Sequence, residues 1–194
     1  MKRLVLFLIL IFPLTVFAKE EVIFNKCVDG DTIKVTYKDE IKTIRMLAID
    51  TPESVIQQEE EAYGKEASEY TCNLVKNAKK LEIEFDENSD EYDKYGRLLA
   101  WVFVDDYLLQ DALVRNGYAE VAYLYGKYKY TDTLKDHEEL AKAEELNIWS
   151  KDKPKEEIDI WFIIIVLLLA ILFPSLRKPL KKIFEKSKIK KVFN

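Results

Sequence analysis

Between residues 21 and 104 the chain breaks into five short runs in which apolar and polar side chains alternate, and this pattern constrains the fold more than any other feature. Successive side chains on a strand point to opposite faces, so alternation with period two marks half-buried β-strands. The runs are 21–27, 32–37, 41–49, 81–85 and 98–104. Asp29-Gly30, Lys38-Asp39-Glu40 and Asp105-Asp106 read as turns, and Pro52 ends the third run. Helical spacing appears between the third and fourth strands, through Ala67, Tyr70, Thr71, Leu74, Val75 and Ala78, a face that reads as core packing. It returns after the fifth strand at Leu108, Leu109, Ala112 and Leu113, closed by Asn116-Gly117, and again over 131–146, ended by Asn147. Residues 118–125 read as extended. The expected class is α+β, mainly β with three helices.

Five strands with a helix between the third and fourth follow the order of an OB-fold, a small five-stranded barrel whose strands and loops commonly bind oligonucleotides or oligosaccharides. Fold alone does not decide function, so the ends of the chain and its charge come next. Residues 1–18 read as a signal peptide: Lys2 and Arg3, an apolar stretch, then Val16-Phe17-Ala18 as a cleavage site. Residues 160–176 form an uncharged apolar run, at the short end for a transmembrane helix. Behind it, 177–194 holds eight Lys or Arg against Glu185, which places that tail in the cytoplasm. The expected organisation is a signal peptide (1–18), a folded domain (19–150), a charged linker (151–159), a transmembrane helix (160–176) and a basic cytoplasmic tail (177–194). The domain would then sit outside the cytoplasm, extracellular or periplasmic, on a single-pass tether.

Charge narrows the function. Residues 19–157 carry 20 basic and 33 acidic side chains, a net of −13. Proteins that grip nucleic acid by general electrostatics are basic, so any polyanion here must be held locally. Cys27 and Cys72 both fall in the exported part. An oxidising compartment permits a disulfide, and two buried thiols are the other possibility.

Asp31, Asp50 and Glu53 are hard oxygen donors suited to Ca²⁺ or Mg²⁺, placed near the ends of two strands. Arg45 is a fixed-charge fork suited to phosphate. A cation beside such an arginine points to phosphodiester chemistry. His137 is the one histidine, on the last helix with no acidic pattern beside it, so a histidine acid–base pair is not available. A metal with a carboxylate remains.

The chain resembles the staphylococcal nuclease (thermonuclease) family over about residues 21–150. The segments that carry the resemblance are Val28-Asp29-Gly30-Asp31-Thr32, Arg45 with Asp50-Thr51-Pro52-Glu53, Tyr63-Gly64-Lys65-Glu66-Ala67-Ser68, Asp93-Lys94-Tyr95-Gly96-Arg97, Ala112-Leu113-Val114-Arg115 with Gly117, and Leu146-Asn147-Ile148-Trp149-Ser150. The resemblance implies a Ca²⁺-dependent endonuclease and exonuclease of DNA and RNA that cuts between phosphorus and the 5′ oxygen and leaves 3′-phosphate ends. It implies Asp31, Asp50 and the Thr51 carbonyl as cation ligands, and Glu53 as the group that orients or deprotonates the attacking water. Arg45 and Arg97 would bind the scissile phosphate, and Lys94, Tyr95, Tyr123 and Tyr125 would hold a terminal phosphate and stack on a base. Asp29 stays outside the catalytic set.

One departure matters. The loop after Glu53 is basic in the family prototype, whereas here residues 54–61 end in Glu59-Glu60-Glu61. A weaker hold on long DNA is expected, with strong dependence on cation and salt. No protein partner is indicated and the chain reads as a monomer. A catalytically silent OB-type module on the membrane and an acidic protein-binding domain are the other function classes. The full set Asp31, Arg45, Asp50, Glu53 and Arg97 argues for the nuclease, because a binding module does not need all of it.

Overall fold

Apolar side chains at every second position of Thr32–Tyr37 bury Ile33, Val35 and Tyr37 on one face of a strand, and the rest of the sheet is laid around that face. The computed structural model describes residues 18–54 and 62–151. In chain order its elements are β1 (Glu20–Glu21), β2 (Ile23–Cys27), β3 (Thr32–Tyr37), β4 (Glu40–Met46), β5 (Ile49–Asp50), α1 (Gly64–Asn77), β6 (Leu81–Glu84), β7 (Leu98–Val104), β8 (Tyr107–Leu108), α2 (Leu109–Arg115), β9 (Glu120–Val121) and α3 (Thr131–Ala143), followed by a 3-10 turn at Asn147–Trp149. Among the described residues the class is α+β with three helices, as expected.

The sheet is not the closed five-stranded barrel that the sequence predicts. Its strands run β1-β6-β7-β4-β3-β2, with β8 on β7, and β5 pairs β9 in a separate small sheet. Two features cause the difference. The first expected strand is split at Val22, so that β1 pairs β6 at one end of the sheet and β2 pairs β3 at the other. The third expected strand ends at Met46 because Ala48 takes a left-handed conformation (φ 62°), which redirects the chain before β5. Other bounds are shorter than expected: the 118–125 segment pairs only at Glu120–Val121, and the last helix stops at Ala143.

The core lies between the inner faces of β3, β4, β6 and β7 and the helices, with Ile33, Ile44, Met46, Ile83, Leu98 and Trp101 fully buried. Gln110 of α2 is also fully buried and completes β7: its Nε2 donates to Ala100 O (2.9 Å) and its Oε1 accepts from Val102 N (3.1 Å). A second polar knot lies after β6. Glu84 accepts from Lys129 Nζ and from Tyr130 OH (2.9 Å). Asp86 accepts from Trp101 Nε1 (2.9 Å) and from the backbone N–H groups of Lys129 (2.7 Å) and Asn88 (2.9 Å).

Cys27 and Cys72 form a disulfide, Cα–Cα 5.8 Å, which settles the alternative left open above. It joins the end of β2 to the middle of α1. Among the described residues no helix is long and apolar enough to cross a membrane. The apolar part of the expected signal peptide, the expected transmembrane run, the basic tail and the acidic 55–61 segment lie outside the described residues.

Candidate functional site

The turn after β2 and the end of β4 meet through Arg45. Thr32 and Arg45 are paired across β3 and β4, and Met46 N donates to Asp31 O (2.9 Å), so the turn carrying Asp31 is fixed beside the guanidinium. Arg45 pairs with Asp31 through one terminal nitrogen and with Asp50 Oδ1 through the other (2.7 Å). The side chains of Arg45 and Asp31 are nearly buried, whereas that of Asp50 is about one third exposed (35%). Asp31 also accepts from Thr32 Oγ1 (2.8 Å) and from Thr51 N (3.1 Å). Burial still wins: it holds the Asp31 carboxyl above its ordinary value, against the lowering pull of Arg45 and these hydrogen bonds.

Asp50 is placed by β5 pairing with β9, in the register Asp50 to Glu120. The same pairing, with Ala122 N donating to Ala48 O (3.0 Å), brings the 121–125 segment to the site. The Tyr123 ring lies 5.5 Å from the Arg45 guanidinium carbon, and its hydroxyl donates weakly to Asp50 Oδ2 (3.3 Å). Tyr125 follows with its ring 6.5 Å from that of Tyr123.

Glu53 is exposed on the same rim. Its pKa is pushed up to about 7, first by a side-chain hydrogen bond with Asp29, then by burial and by the negative charge of Asp29, Asp31 and Asp50. A carboxyl that titrates near neutrality can take or give a proton under ordinary conditions. Asp29, left out of the sequence-based set, is therefore Glu53's direct partner. Asp29 Oδ1 also accepts from Gly30 N (2.9 Å) and Ser54 N (3.3 Å), tying the two loops together.

Helix α1 braces this centre from below. Thr71 Oγ1 donates to Gly30 O (2.5 Å), beside the Cys72 end of the disulfide. A Cβ at Gly30 would lie 2.7 Å from Thr51 Oγ1, and one at Gly64 would lie 2.2 Å from Glu53 O. Both loops thus approach too closely for any other residue at these two positions.

Arg97, Lys94 and Tyr95 form a second group. The Asp93–Arg97 turn is closed by Asp93 N donating to Arg97 O (2.9 Å), and Arg97 Nε pairs with Asp93 Oδ2 (2.5 Å). The Lys94 ammonium and the Arg97 guanidinium lie 4.9 Å and 5.5 Å from the Tyr95 ring, and Tyr95 is 72% exposed. The guanidinium is directed at Asp93, not at the carboxylates beside Arg45. Sheet register nevertheless relates the two arginines: β4 and β7 are parallel with Arg45 opposite Leu99, and Arg97, two residues earlier, falls on the same face.

The cation ligands that the resemblance implies are Asp31, Asp50 and the Thr51 carbonyl, two carboxylates and a backbone oxygen. Among the described residues no group of three His, Cys, Asp or Glu is spaced to hold a metal ion. Asp31 and Asp50 are hard oxygen donors, both engaged by Arg45. The donor chemistry fits a hard cation, and the buried Thr51 Oγ1 beside it has no hydrogen-bond partner among the described residues. The expectation for His137 also changes. Its Nδ1 pairs with Asp111 Oδ1 of α2, a carboxylate that sequence proximity did not show.

The family profile described as staphylococcal nuclease homologue matches residues 43–151, more than half of the chain. The chain belongs to the staphylococcal nuclease family. The match takes in Arg45, Asp50, Thr51, Glu53, the Asp93–Arg97 turn, Tyr123 and Tyr125, while Asp31 precedes it and is tied in by its contacts. Family relatives include the SPbeta prophage-derived endonuclease YokF of Bacillus subtilis (strain 168), 48% identical over 138 residues, which cover 68% of this chain and 45% of the relative. Endonuclease YncB of the same organism is 45% identical, covering 67% and 62%. The thermonuclease of Staphylococcus hyicus is 34% identical, covering 64% and 73%. The matched region therefore spans less than two thirds of each Bacillus relative.

Proposed function

We propose that the chain hydrolyses phosphodiester bonds of DNA and RNA with Ca²⁺, cutting between phosphorus and the 5′ oxygen to leave 3′-phosphate ends. The observation that carries this reading is the site's composition: a forked guanidinium held by Asp31 and Asp50 beside a Glu53 that titrates near neutrality, in a member of a nuclease family whose relatives bear the names endonuclease and thermonuclease.

Asp31, Asp50 and the Thr51 carbonyl would hold the cation. When bound, Ca²⁺ supplies neutralising charge at a phosphate oxygen and helps to align the reactants. Glu53 takes the proton from the attacking water, and its raised pKa gives it the basicity to do so. Arg45 offers a bidentate fork to the phosphate once another positive charge satisfies its two carboxylates. Arg97 would add charge from the turn that precedes β7. Arginine does not give up a proton, so the leaving oxygen is protonated by water. Lys94 and Tyr95 would hold the terminal phosphate, and Tyr123 and Tyr125 would stack on a base.

We also propose that this domain works outside the cytoplasm, delivered by the 1–18 leader and tethered by residues 160–176 with a basic cytoplasmic tail. The Cys27–Cys72 disulfide supports an oxidising compartment. Protease treatment of intact cells should remove the domain and spare the tail; protection of the domain would overturn the topology.

Cleavage of labelled DNA and RNA with Ca²⁺ and with a chelator tests the activity. Wild type should cleave only with the cation, and Glu53→Gln and Arg45→Ala should be folded and inactive. A wild type inactive with every divalent cation would leave the silent binding module as the better account.

A further inference from the structure

The outer face of β2, β3 and β4 carries two rows of side chains that neither the core nor the site accounts for. Register sets Lys34 of β3 between Thr43 of β4 and Lys26 of β2. Continuing the β4–β7 register by one residue sets Arg97 beside Thr43. Thr43, Lys34 and Lys26 thus form one row across three strands, about 10 Å long at the usual strand spacing, and Arg97, the residue before β7, adjoins its Thr43 end. The next row along the strands is Ile41, Thr36 and Ile23, also in direct register. Both isoleucines are open to solvent, 68% and 69% exposed.

The basic row has a cost. Lys26 and Lys34 stand directly opposite each other, and like charges in that position destabilise a strand pair. Neither lysine has a carboxylate within ion-pair distance among the described residues, whereas Lys38 and Lys42 on the same sheet pair with Glu20 and Glu40. A bulge creates the arrangement. Asn25 is the extra residue between Phe24 and Lys26, and Thr36 Oγ1 donates to its Oδ1 (3.1 Å). Without the bulge, residues 23 and 26 would point to opposite faces; with it, both Ile23 and Lys26 point outward. The face is therefore shaped to hold a basic row beside an apolar one, two residues or about 7 Å apart.

We propose that this face is the track for a single-stranded polynucleotide leaving the active site, with phosphates over Lys34 and Lys26 and bases against Ile41 and Ile23. Charge complementarity and continuity with Arg97 select this occupant: a basic stripe in an acidic domain adjoins the arginine that precedes β7. The exposed isoleucines favour a single strand, whose bases can turn toward an apolar surface, over a duplex, whose bases are enclosed.

The proposal rests on the phosphodiesterase reading, and the test separates the two. The full chain is assayed with Ca²⁺ on a dinucleotide and on a single strand of about 12 nucleotides, a length typical of such sites. Lys26→Ala/Lys34→Ala should raise KM for the longer strand about tenfold and leave the dinucleotide unchanged. The salt dependence of binding should become shallower by about 1.4 in log–log slope, some 0.7 for each lysine lost. An equal rise on both substrates, or an equal rise in the control Lys76→Ala/Lys135→Ala, would overturn the track. Lys26→Glu should turn the lysine pair into an opposite-charge pair, raising Tm while weakening the longer strand; a fall in both would mark a folding role instead. If the wild type cleaves neither substrate, the nuclease reading fails, and fluorescence anisotropy with the labelled strand then tests the track alone. Weaker binding by the double alanine variant supports it; unchanged binding, or an equal loss on duplex, overturns it.

Discussion

Two groups of carboxylates differ in how completely they are answered. Glu84 and Asp86 accept from an ammonium, a phenol, an indole and two backbone N–H groups, and Glu84 in turn holds the Lys129 pKa above its ordinary value. Those charges support one another. Asp31 and Glu53 sit in the opposite condition: both carboxyls are raised, by burial and by neighbouring carboxyl groups, even with Arg45 in place. The first group is complete within the chain and works as structure. In the second, one guanidinium answers both Asp31 and Asp50, and a ligand can supply further positive charge.

The largest effect expected from this contrast is on catalysis. Arg45→Ala and Glu53→Gln should each lower the cleavage rate by about 10²–10³-fold. Arg45→Ala should also cost about 3 kcal/mol of stability without cation, because Asp31 is left buried beside another carboxylate, and Ca²⁺ should restore much of it in thermal melts. Next, Asp86→Ala should cost about 3 kcal/mol in denaturant titration by orphaning the Trp101, Lys129 and Asn88 donors. It should leave the rate per folded molecule intact. A lost rate with retained stability would break the distinction between the two groups.

A pH series sharpens it. Asp31 and Glu53 are held above their unfolded values, so their contribution to folding is fully present below the unfolded pKa and is lost as pH rises through the folded one. For Glu53 that window runs from about 4.5 to about 7. Tm of the cation-free protein should fall across it, and Ca²⁺ should raise Tm most at its upper end. A Tm that rises across the window without cation would reverse the assignment. The smallest effect belongs to the exposed tyrosines: Tyr125→Ala should raise KM by about fivefold, near 1 kcal/mol of stacking, with kcat unchanged.

The strands and the site residues were legible because local patterning encodes them. Alternation marks β3 and β7 nearly to the residue, and Asp29-Gly30-Asp31 with Asp50-Thr51-Pro52-Glu53 marks the site loops. What escaped depends on distant partners. The break at Val22 arises because its two sides pair with different strands, and the Ala48 turn because β5 leaves the main sheet for β9. Asp29 reads as an ordinary turn residue until Glu53 and Ser54 are brought to it. His137 reads as unaccompanied in the sequence because Asp111 lies 26 residues away. The Asp93–Arg97 segment is legible as a motif, but its internal ion pair is set by the turn's own geometry.

The parallel pairing of β4 with β7 has a further consequence, in time. The two strands are joined at Arg45 and Leu99, with α1 and β6 between them in the chain. Parallel neighbours cannot be linked by a tight turn, and the entropy of closing a long loop must be met before such contacts form. The Arg45 and Leu99 segments can therefore pair only once that long loop closes. A chain still emerging during synthesis carries Arg45 and Arg97 on separate segments. The proposed cleavage should appear only with the complete sheet.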